Sequence, residues 1–179
     1  MNPFLFDKIQ EKCLQHELIL TGSGAGQLGY TIMNLERNKY LDVQIHTPAN
    51  YMPEKKESPY DIETACTFNI PAETFQQKPD FLIFSYQEEL HGKTSFLIVQ
   101  TLELLERFEK LDRLPETDGS YRMTIYAGSD NYIMDATEIS GEGEWYFFGG
   151  RMFIGEKWDF TMYLNQWDLM FDYFTIPLP

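Results

Sequence analysis

Carboxylates are the most plentiful chemical groups in this chain, and several crowd one stretch. Glu142 and Glu144 flank Gly143, with Asp135 and Glu138 close by. Paired carboxylates of this kind can share acid–base work. A solvated acidic loop is the alternative, and the spacing promotes no single pair. A second group stands in YLDVQIHT, where Asp42, Gln44 and His46 occupy every other position. In an extended strand they share one face, and Leu41, Val43 and Ile45 share the other. The remaining histidines, His16 and His91, lie far off, with no HxxxH or HExxH spacing to suggest zinc. No serine sits in a GxSxG elbow. GSGAGQLG (22–29) is glycine-rich but lacks the Lys-Ser/Thr of a phosphate loop, so it reads as a turn. Cys13 falls on an apolar helix face, where a thiol is inert packing. Trp145, Tyr146, Phe147 and Phe148 form the densest aromatic run. Strand alternation sends Trp145 and Phe147 to one side, as a binding patch or as core beneath a tail helix.

The elements that must position these groups follow from periodicity. A helix starts at Asn2 or Pro3 and carries Phe4, Phe6, Ile9, Cys13 and Leu14. HELILTGSG and GYTIMNL read as short strands. Glu36 to Lys39 make a hairpin tip before the strand of Asp42, Gln44 and His46. Residues 48–60 hold three prolines and mixed charge, which is loop composition. TACTFNI is a strand, and Pro71 opens a helical turn through Phe75. DFLIFSY and SFLIVQ are continuous apolar runs of β-formers, as in strands buried on both faces. Thr101 caps a helix whose stripe is Leu104, Leu105, Phe108 and Leu111. Four short strands, YRMTIYA, YIMDATEI, EWYFFGG and RMFIG, fill the final third. The tail DFTMYLNQWDLMFDYF is a helix with Tyr163, Trp167, Met170, Phe171 and Phe174 on one face, or in its first half a strand.

Composition sets the bounds. A chain of 179 residues has the size of one domain, 1–179, and can bury a core without staples. The 16% aromatic content argues for a packed, strand-rich body. Two cysteines without CxxC spacing suit buried thiols in a reducing compartment. The N-terminal residues lack a basic start and apolar run, and no stretch reaches membrane-spanning length, so the expected location is cytoplasmic. Twenty-eight acidic against 14 basic residues give a net charge of −14. That field repels nucleic acid and anionic membranes, and favours solubility or a basic protein partner.

The order of elements and the segments YLDVQIHTP, KPDFLIFSY and SFLIVQTLELLERF carry a resemblance. Residues 1–111 resemble the core of the PD-(D/E)XK, or restriction-endonuclease-like, superfamily, and 112–179 read as a strand-rich extension ending in a helix or strand. The resemblance implies an α+β fold with a mixed central β-sheet flanked by helices in αβββαβ order. In active members an acidic or Gln residue, one intervening residue and a Lys lie on one strand, and the preceding strand supplies an Asp. The carboxylates hold a divalent metal, and the Lys positions the attacking water. Here Gln44 fits the acidic-or-Gln position, but His46 stands where Lys is expected. Tyr30 or Thr31 stands where Asp is expected, and Asp42 is the candidate substitute ligand.

The expected function is therefore a non-catalytic protein-binding or accessory domain with a degenerate nuclease-like core. One alternative is an acidic inhibitor or immunity-type protein that binds a basic partner. Another is a nuclease with a variant site at Asp42, Gln44 and His46, with Asp42 and His46 as ligands of Mg or Mn. Only that last reading calls for a cofactor.

Overall fold

The structure, a computed structural model, describes residues 3–22, 29–51, 62–88, 92–128, 132–137, 145–148, 151–154 and 159–176. Proline supplies a preset φ and no needed donor at the first helical position, and α1 runs Pro3–Leu14. Strands β1 (Ile19–Gly22), β2 (Gly29–Asn34) and β3 (Lys39–His46) form a meander. Asn38, at φ 51°, takes the left-handed position in the β2–β3 turn, which its short polar side chain tolerates. β4 (Asn50–Tyr51) and β5 (Ile62–Pro71) follow, then α2 (Ala72–Gln77). β6 (Phe81–Glu88), β7 (Lys93–Gln100) and α3 (Thr101–Lys110) come next. The last third holds β8 (Ser120–Gly128), β9 (Ile133–Asp135), β10 (Trp145–Phe148), β11 (Arg151–Ile154), a 3-10 turn (Thr161–Tyr163) and α4 (Trp167–Thr175).

The fold is α+β. A five-stranded mixed sheet has the order β1-β2-β3-β6-β7, antiparallel except where β3 and β6 run parallel. A second sheet has the order β4-β5-β8-β9 and is antiparallel throughout. β10 and β11 pair as a separate hairpin. The parallel step needs a long crossover, and β4, β5 and α2 lie along it.

Two cores share the five-stranded sheet. On one face α1 and α4 pack Ile9, Cys13, Met170, Phe171 and Phe174 against Val43, Ile45, Ile83 and Ile98. On the other, Leu82, Phe84, Leu97 and Val99 meet Phe68, Ile70, Met123 and Ile125 of the second sheet, with Leu104 and Phe108 of α3. The apolar run of β6 follows from this: Phe81 and Ile83 serve one core while Leu82 and Phe84 serve the other. Each such side chain contributes about 1.5–3 kcal/mol by leaving water.

Two local expectations change. Thr101 is the first residue inside α3, not its cap, and Gln100 is the cap residue, without a side-chain bond. The reason is that β7 runs straight into the helix, and the Thr101 N–H donates to Asp80 O at 3.1 Å. The tail is not one helix. Asn165, at φ 52°, separates the 3-10 turn from α4. Asp159 bridges to Met134 and Leu164 to Leu97, so the first half works as sheet edging. Among the described residues, no helix is long and apolar enough to cross a membrane.

Candidate functional site

β3 lies between β2 and β6, which fixes its polar face. Thr31 pairs with Asp42 and Gly29 with Gln44 on one side, and Gln44 pairs with Leu82 and His46 with Phe84 on the other. Leu41, Val43 and Ile45 all enter the α1/α4 core, so Asp42, Gln44 and His46 do face the opposite way. That opposite way leads under α2 and the second sheet for Gln44 and His46, and only Asp42 is exposed.

Asp42 accepts a hydrogen bond from Thr31 Oγ1 at 2.9 Å. Its backbone is clasped by Asp80: the Asp42 N–H donates to Asp80 Oδ2 at 2.8 Å, and the Asp80 N–H donates to Asp42 O at 2.7 Å. Gln44 is held at both ends by α2. Thr74 Oγ1 donates to Gln44 Oε1 at 3.0 Å, and Gln44 Nε2 donates to Gln77 Oε1 at 2.8 Å. His46 is 5% exposed, and its ring stacks on Phe84 with centroids 5.2 Å apart and planes 25° from parallel. Its Nε2 is buried and has no hydrogen-bond partner among the described residues. Burial lowers its pKa from 6.5 to about 4, because desolvation disfavours the charged ring. The imidazole is neutral at neutral pH.

This arrangement does not fit the divalent metal that the resemblance implies. The Gln44 amide oxygen is occupied by Thr74, and the Nε2 of His46 lies inside the apolar layer. Among the described residues, no group of three or more His, Cys, Asp or Glu is placed to hold a metal ion. Thr74 and Gln77 were invisible as partners in the sequence. Their only signal is the presence of Gln44 itself, a polar residue in an inner strand that must find hydrogen bonds.

The other candidates have structural surroundings. Asp135 is fully buried, accepts from Arg113 NH1 at 2.7 Å and receives the Thr137 N–H and hydroxyl. Beside that pair a cleft of about 410 Å³ runs along β8, lined in part by Arg113, Arg122, Thr124, Tyr126 and Thr137. Its charges are matched within the chain, Arg113 by Asp135 and Arg122 by Glu116 at 3.8 Å. Tyr163 donates to Glu103 Oε1 at 2.5 Å and accepts from Arg107 Nε at 2.5 Å, tying α3 to the 3-10 turn. Cys13 and Cys66 are free and buried in different cores, and burial pushes both thiols up to about 12. His16 packs its ring at 4.4 Å from that of Phe171. The side chains of Trp145 and Phe147, together with His91, Glu138, Glu142, Glu144 and residues 23–28, lie outside the described residues.

Comparison of the chain with protein-family models, with curated proteins and with solved structures yields no match to any of the three.

Proposed function

We propose that this protein is a non-catalytic protein-binding or accessory domain built on a nuclease-like core whose chemical face is filled. The observation that carries the reading is the double clasp on Gln44 by Thr74 and Gln77, with His46 buried beside Phe84. A hydrolytic site needs carboxylates open to a metal and a group that reaches water. Here the amide is spent on α2 and the imidazole is buried. The order α1, β1, β2, β3, then α2 and β6, with β6 parallel to β3, supports the nuclease-like core, with β4 and β5 inserted before α2. The test is calorimetric titration of the metal-free protein with manganese, with Asp42→Asn and His46→Ala as controls. We expect no saturable heat in any of the three. Tight binding that disappears in either variant would overturn the proposal and reopen the nuclease reading.

A second reading, an acidic inhibitor or immunity-type protein for a basic partner, is favoured by the net charge of −14. Charge of this size speeds capture of an oppositely charged surface and makes the capture sensitive to salt.

A further inference from the structure

The interior histidine lies where the chain passes from one sheet to the other. His46 is the last residue of β3. Three residues later the Ala49 N–H donates to Thr67 O at 2.8 Å, and Asn50 and Tyr51 then pair with Thr67 and Cys66 of β5. The Tyr51 hydroxyl accepts the Gln87 N–H at 3.1 Å, returning the segment to the first sheet. The His46 ring is also one end of an aromatic chain across the layers. It stacks on Phe84, and Phe84 meets Phe68 of β5 edge-on at 5.1 Å and 72°.

We propose that His46 is an acid-sensitive latch on this crossover: protonating its ring releases residues 47–51 from β5 and β6 before the rest of the molecule opens. Three observations carry this. First, His46 is 5% exposed and its Nε2 is buried with no partner among the described residues, so a proton placed on that nitrogen meets no acceptor there in the closed state. Second, among the described residues no anion is paired with the ring. The titratable groups on the surrounding elements are Lys39, Tyr40 and Asp42 on β3, Tyr51 on β4, Cys66 on β5, Glu73 on α2, and Tyr86 and Glu88 on β6, while the side chain of Glu63 on β5 lies outside the described residues. Asp42 is engaged by Thr31, Glu88 by Ser95 and Lys93, and Glu73 is exposed. Among the described residues none forms an ion pair or hydrogen bond with the His46 ring. Third, β4 is a two-residue edge strand with both residues exposed, so letting it go exposes little apolar surface.

The sign follows from linkage. A base whose pKa is lower in the closed state takes up a proton on opening, so acid favours opening. With an ordinary value of 6.5 and a closed value of about 4, the effect begins as pH falls below 6.5 and is complete near 4. The experiment is hydrogen exchange by mass spectrometry on the full chain, corrected for intrinsic rates, at pH 7.5 and pH 5. The opening constant of residues 47–51 should rise about 30-fold between these pH values, while β6 and β7 stay protected. His46→Phe, which keeps a ring against Phe84, should abolish the rise, and His46→Gln, a neutral polar replacement, should abolish it too. The proposal fails if 47–51 shows no excess over His46→Phe. It also fails if β6 and β7 lose protection in step with 47–51, since acid would then unfold the molecule as a whole.

Discussion

A single buried ion pair shows how costly polar residues are in this interior. Arg113 and Asp135 meet at 2.7 Å with side chains 3% and 0% exposed, and the guanidinium also lies 4.6 Å from the centroid of Phe108. Each charge is tolerable only because the other is present. Asp135→Ala should therefore cost about 3–5 kcal/mol, read as a lower urea midpoint. Adding Arg113→Met to that variant should recover at least half of the loss, because the remaining charge is gone. If the double variant is no better than the single, the pair's role lies elsewhere than in charge compensation. The same reasoning separates Asp135 from the acid–base role its sequence neighbourhood suggests. A carboxylate bound to Arg113 and to both donors of Thr137 is structural.

Among the elements, α4 shows how a helix end is satisfied from a distant turn. Its last carbonyls have no partner within the helix. Lys39 Nζ donates to Tyr173 O at 2.8 Å and to Ile176 O, and Arg37 NH1 donates to Phe174 O at 2.6 Å. Two cations at a helix C-terminus also oppose its dipole. Lys39, which reads as part of a hairpin tip, is thus 5% exposed, and its buried ammonium anchors α4 to the β2–β3 turn. Lys39→Met keeps the bulk and removes the donors. We expect a loss of about 1–2 kcal/mol in denaturation, with faster amide exchange confined to the last turn of α4. Unchanged exchange there would show that Arg37 and water suffice.

Over the whole molecule, the excess of 28 acidic over 14 basic residues acts as one long-range field. Salt shortens its reach to about 8 Å at physiological ionic strength. If the protein captures a basic partner, association should slow at least tenfold between 20 mM and 500 mM NaCl, while dissociation changes much less. Stopped-flow or surface-based kinetics with the partner would show it. A salt-independent association rate would remove the acidic-inhibitor reading and leave the accessory-domain reading standing.

The sequence by itself determined the class of fold and most element positions, because these depend on local period and local stops. Pro3 opens α1, the runs FLIFSY and SFLIVQ become β6 and β7, and alternation in YLDVQIH correctly divides the faces of β3. Trp167, Met170, Phe171 and Phe174 are buried on one face of α4, as their spacing requires. What alternation could not say is what lies opposite a face. Whether Asp42, Gln44 and His46 line a pocket, meet water or are roofed over depends on α2 and β5, which come some 20 to 30 residues later in the chain. Only the tertiary structure brings Thr74, Gln77 and Phe84 against that face, and so it alone decides that Gln44 is a strut and His46 a neutral ring in the core. The physical reason is that strand period is a property of the backbone, whereas burial is a property of whatever packs against it.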